Sequence, residues 1–218
     1  MKQIKEYINE RLKISSDLNK KEYKYFPQSK KELKDIINKL LDERGLDAYL
    51  NDIDTSRITD LSYLFANIKD IQNIDISEWD VSNVRDMGGM FSDCIEFNCD
   101  LSKWNVKELL YAGSMFCYCK KFDSDLSQWN TKKLTSADWM FAYCKNFNSD
   151  LSKWKTNNLY DISYMFCGCK KFNCDLSNWN TNNLKEMTNT FKGCIALKKI
   201  PKWYNDNDAF YKNMFSGV

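Results

Sequence analysis

The chain has 218 residues, a formal net charge of +2, no histidine, nine cysteines, seven glycines and two prolines. The near-neutral balance excludes a general basic footprint for nucleic acid, and the low Gly and Pro content argues against disorder. Without histidine there is no Ser-His or Cys-His nucleophile pair, and the commonest general base and metal ligand are missing too.

In chain order, the N-terminus reads MKQIKEYINERLK. It is charged, places Ile4, Ile8 and Leu12 on one helical face, and shows neither a hydrophobic secretory core nor a lipobox cysteine. A helix is expected over 1–12. Ser29-Lys30-Lys31-Glu32 is a capping box. Leu33, Ile36, Ile37, Leu40 and Leu41 follow as an amphipathic stripe that Gly45 stops, which predicts a helix over 30–43. Residues 1–53 are therefore expected to form an N-terminal helical cap.

From about residue 54 the chain repeats itself. Trp79, Trp104, Trp129, Trp154 and Trp179 are each 25 residues apart, and Trp203 follows after 24. Phe91, Phe116, Phe141, Phe166 and Phe191 keep the same step, as do Cys94, Cys119, Cys144, Cys169 and Cys194. Leu64-Phe65 opens the series one residue out of phase, and Met214-Phe215 ends it. One such unit cannot bury a core alone, so the pattern predicts a stack over 54–203 of about six 25-residue units. Residues 204–218 are expected to cap the last one with Phe210, Tyr211, Met214 and Phe215. No apolar run reaches membrane-spanning length.

The unit LYDISYMFCGCKKFNCDLSNW shows what each coil should contain. Leu159, Ile162, Met165, Phe166 and Cys169 fall at steps of three and four, which predicts a short helix. Phe172, Cys174 and Leu176 alternate with polar residues, which predicts a strand. The expected fold is an α/β, leucine-rich-repeat-like right-handed solenoid of strand–helix coils.

The string MFxxCxxFNxDLSxWNT, with its upstream V/L-x-x-M stripe, resembles the 25-residue repeats of mycoplasma-type surface lipoproteins. It also resembles repeats of spirochaetes, some protists and giant DNA viruses, and it is similar in pattern to BspA-like leucine-rich repeats, which carry AFxxCxxL. The stretches PQSKKELKDIINKLLDERG and LNDIDTSRITDLSYLF look like the lead-in to such repeats. The resemblance implies the fold and a binding role.

The cysteines lack zinc-type CxxC spacing and histidine partners, so they read as structural thiols in a reducing compartment. Cys99 and Cys174 stand where other units carry Ser124 and Ser149, a place that asks for a small residue. Asp75, Asp100, Asp125, Asp150 and Asp175 form a column with two readings: an Asx-turn role ahead of Ser, or a cation-binding stripe. The Trp column reads as core or groove wall, and secondarily as a ligand platform. There is no GxxxxGK[ST] loop and no GxGxxG. No cofactor, no metal site, no small-molecule ligand and no enzyme activity are expected.

Variable positions report what the stack leaves free. The residue before each Met, or the Thr190 that replaces it, runs Gly89, Ser114, Trp139, Tyr164, Asn189. The second residue after each repeat Phe runs Asp93, Tyr118, Tyr143, Gly168, Gly193. Tyr118, Trp139, Tyr143 and Tyr164, with Lys120 and Lys145 beside them, are thus the candidate partner-binding residues, expected on the helical side. The competing reading is that these aromatics fill space between coils. The function expected is a non-enzymatic protein-binding scaffold, intracellular in a host cytoplasm or virion. The alternative is an extracellular adhesin for a glycan or matrix protein, on a microbial surface if an export signal was trimmed.

Overall fold

The computed structural model describes residues 22–204 and 214–215. The helix expected over 1–12 lies outside these residues, as do Phe210 and Tyr211. Helix α1 spans Lys30–Arg44, one residue beyond the sequence-based expectation. Ser29 caps it by accepting the Glu32 N–H at 3.2 Å, and Glu32 reaches back to the Gln28 N–H at 2.7 Å. Gly45, with φ of 80°, closes its other end. Leu33, Ile37 and Leu40 are buried in the core of the repeats. Lys30 bonds Asp60, and the Lys34 ammonium bonds the Leu64 carbonyl, so α1 lies over the first unit.

The repeats do not form the expected α/β leucine-rich-repeat-like solenoid of strand–helix coils. Among the described residues α1 is the single α-helix, and strand pairing is reduced to isolated parallel bridges. Those bridges link Asp60 to Asp86, then Tyr111, Ser136, Asp161 and Glu186, one residue per unit. The rest of each unit is turns joined by irregular extended backbone.

The reason lies in where the N–H groups go. In the stripe read as a helix, alternate residues donate in two directions. Met165, Cys167 and Cys169 donate to carbonyls three residues back, at Ile162, Tyr164 and Phe166. Ile162, Tyr164, Phe166 and Gly168 donate instead to Glu186, Thr188, Thr190 and Lys192 of the next unit. Two positions per unit carry a left-handed backbone, here Tyr164 at φ 58° and Gly168 at 72°. Each is the third residue of its turn, where type II geometry demands positive φ. A continuous helix cannot pass through them.

The expected strand also lacks a backbone ladder. Phe172 and Leu176 do point into the core. Their neighbours, however, are held through side chains. Asn98, Asp123, Asn148 and Asn173 each accept the N–H of the equivalent residue one unit on, at 2.8 Å in every case. In the opposite direction Leu101 and Leu126 donate to the hydroxyls of Ser124 and Ser149. Equivalent rings from Phe91 to Phe191 sit 5.6–5.8 Å apart where the backbones bond directly, and the Trp rings 6.3–6.5 Å apart on the other side.

The core consists of columns running through the stack. Phe91 and Phe97 stack within one unit at 4.0 Å, and the pairing recurs at Phe116–Phe122, Phe141–Phe147 and Phe166–Phe172. Each indole N–H of the column from Trp79 to Trp203 donates to a carbonyl of the preceding unit, as Trp129 does to Leu101 at 3.0 Å. The indoles of Trp79 to Trp179 are nearly buried, so this column is core rather than a platform. Met214-Phe215 continues the pattern: Phe215 stacks on Phe191 at 5.2 Å, and the Met214 carbonyl accepts the Phe191 N–H.

Candidate functional site

The two variable positions are the left-handed ones. Tyr118, Trp139, Tyr143 and Tyr164 have φ of 63°, 57°, 61° and 58°. Other units place Gly89, Gly168, Gly193, Asn67, Asn189 and Asp93 there, residue types that tolerate this conformation, but also Ser114 and a further aromatic, Tyr63. Bulky side chains in that region are strained by about 1–3 kcal/mol each. The expectation that they ride on a helical side is thus corrected: they stand on turns, which point them outward.

They also stack. Tyr118 lies on Tyr143 with ring centroids 4.6 Å apart, and Trp139 on Tyr164 at 4.2 Å. Each ladder runs along the stack. Tyr143 in turn covers Gly168, where an added Cβ would lie 2.7 Å from Tyr143 Cδ1. Beneath them Cys117, Ala142 and Cys167 form a small buried cluster, separate from the main core, against which Trp139, Tyr143 and Tyr164 pack. The Tyr143 phenol is held above its usual range, first by its hydrogen bond with the Cys167 thiol and then by the charge coupling between them. Tyr118 is 38 % exposed, and the other three rings are partly so. Lys120 is half-buried and Lys145 exposed.

The model of the family described as "Mycoplasma protein of unknown function, DUF285" matches residues 35–147 and again 124–218. The chain belongs to this family. The resemblance to mycoplasma-type repeats is thereby shown at family level, while the match carries nothing on BspA-like repeats or giant DNA viruses. No curated protein and no solved structure matches the chain.

Elsewhere on this DUF285 chain the polar columns are spoken for. Asp75, Asp100, Asp125, Asp150 and Asp175 each accept the N–H of the Ser two residues on, at 2.8–3.2 Å, so they close Asx turns. These bonds help hold the carboxyls of Asp100 and Asp150 below the usual range. Among the described residues no group of His, Cys, Asp and Glu is placed to hold a metal ion.

All nine cysteines are free. The ladder thiols donate to backbone carbonyls of the preceding unit, as Cys144 does to Phe116 at 2.9 Å. Burial pushes Cys94 and Cys194 up to about 12 and Cys144 well above its ordinary value. Buried and protonated, these thiols are poorly nucleophilic near neutral pH. Sequence reasoning missed the acceptor role at the Ser124/Ser149 place: Cys174 Sγ fills it by accepting the Leu151 N–H at 3.3 Å.

An open groove of about 750 Å³ runs between Ser127–Asn130, Ser152–Asn157, Asn178 and Asn180. It offers amides, hydroxyls and lysines but only the edges of Trp129 and Trp154. Among the described residues no helix is long and apolar enough to cross a membrane.

Proposed function

We propose that this protein is a non-enzymatic scaffold that binds another protein through the turn-borne aromatic ladders. One observation carries the reading: large aromatics occupy left-handed positions that Gly, Asn, Asp or Ser fill in other units, and of the five among the described residues, Tyr63, Tyr118, Trp139, Tyr143 and Tyr164, the four of the middle units stack in two pairs. Stability alone favours the small residue there, so the aromatic side chains are retained for contact. Rigid, half-exposed Tyr and Trp pairs are also what binding hot spots are made of. We place the scaffold in a reducing compartment, because nine thiols stay unpaired. The adhesin reading is weaker, since the polar groove offers no exposed ring face for a sugar.

The test is capture from native lysate with wild-type protein and with Trp139→Ser/Tyr143→Ser. Specific bands retained by the wild type and lost with the variant, while the melting curve stays cooperative, support the scaffold. Equal capture by both overturns it.

A further inference from the structure

The ladders have a charged margin. Lys120, Lys145 and Lys170 occupy one register position in three consecutive units, and Lys121 and Lys171 stand next to them. Among the described residues none of the five makes an ion pair, in contrast with Lys133, paired with Glu108 at 2.6 Å, and Lys199, paired with Asp175 at 3.5 Å. All but the half-buried Lys120 are exposed. The same register position is Ile95 before this strip and Ile195 after it. The basic margin therefore begins and ends with the units that carry the aromatic pairs. The acidic side chains of these units, Asp123, Asp125, Asp138, Asp150 and Asp161, are held by hydrogen bonds from backbone N–H groups or, at Asp138, the Ser136 hydroxyl, and keep their charge. Asp93 and Glu96 lie at the margin's N-terminal limit.

Units here repeat at 5.7 and 5.8 Å on the buried Phe116, Phe141 and Phe166 rings, and the surface pairs Tyr118–Tyr143 and Trp139–Tyr164 at 4.6 and 4.2 Å. Side chains on one face of an extended strand recur about every 6.7 Å. Over three units the mismatch of roughly 1–2.5 Å per step is taken up by the flexible lysine side chains.

We propose that this strip binds an extended acidic segment of a partner protein, laid along the stack. Its carboxylates meet Lys120, Lys145 and Lys170, and its apolar or aromatic side chains meet the Tyr118–Tyr143 and Trp139–Tyr164 pairs. This rests on the scaffold reading above and names the chemistry of its partner.

The test is fluorescence anisotropy with a labelled 12-residue peptide alternating Glu and Tyr, beside Ser/Tyr and Lys/Tyr counterparts and a 12-nucleotide single strand. The acidic peptide should bind at least 10-fold more tightly than either counterpart. Lys145→Glu/Lys170→Glu, two exposed positions that leave the core untouched, should weaken it 10-fold or more, as should raising salt from 50 to 500 mM. Trp139→Ser/Tyr143→Ser should abolish it. Indifference to charge reversal, absence of acidic-peptide binding, or tighter binding of the oligonucleotide would overturn the proposal. Binding of the Ser/Tyr peptide that is lost only in the aromatic variant would also overturn it, while leaving the scaffold reading intact. Equal lysate capture by wild type and aromatic variant would overturn the scaffold itself.

Discussion

Gly168 and Gly193 hold the same place in consecutive units, with φ of 72° and 75°, but meet different neighbours. An added methyl on Gly168 would lie 2.7 Å from the Tyr143 ring, whereas on Gly193 nothing comes nearer than 3.5 Å. Gly193→Ala should cost about 1–2 kcal/mol for the left-handed backbone alone. Gly168→Ala should cost about 1–3 kcal/mol more from overpacking, and Tyr143→Gly should remove that excess in a double-mutant cycle read by urea unfolding. A second comparison isolates a hydrogen bond. Ser149→Ala leaves the buried Leu126 N–H without its acceptor and should cost about 1–3 kcal/mol. Ser149→Cys should cost less, because Cys174 performs that role one unit on. The need for a small side chain was legible at this place. The need for an acceptor was not, because the N–H it serves lies 23 residues away in sequence.

Helix α1 is an element that local signals specify. Its cap, apolar stripe and terminal glycine all lie within a few residues of one another, so its start and its end to within one residue were readable. Ser29→Ala should cost about 1 kcal/mol, and Ile37→Ala about 2–5 kcal/mol, both measurable by chemical denaturation. The stripe in each repeat was misread because a spacing of three and four belongs equally to a helix and to successive turns closed three residues back. The discriminating signal was present in Gly89, Gly168, Gly193, Asn189 and Asp93, which mark the left-handed positions. Aromatics in the intervening units masked it. The candidate residues were therefore singled out by their variability, whereas their backbone strain and the ring stacking that unites them were not legible.

At the scale of the whole molecule, the buried thiols link stability to alkaline pH. Burial lifts Cys94 and Cys194 from 9.0 to about 12, and Cys119, Cys144 and Cys169 well above 9.0. As pH rises past 9, unfolded chains release these protons while folded chains retain them, so stability falls by about 1.4 kcal/mol per pH unit for each thiol. The contribution is fully present below the unfolded value. Tryptophan fluorescence should show cooperative unfolding between about pH 9 and 12, with a shallower slope in Cys119→Ala/Cys144→Ala. Thiol titration under denaturing, non-reducing conditions should find all nine free, with slow reaction before denaturant is added. What the sequence by itself determined is the repeat and the identity of its inward columns. Equal side chains at an equal step must meet equal neighbours once the units stack. What only the tertiary structure decided is the path of the backbone between those columns. The same apolar spacing permits N–H groups to bond within a helix or across to the next unit, and that choice depends on carbonyls about 25 residues away, which no local pattern encodes.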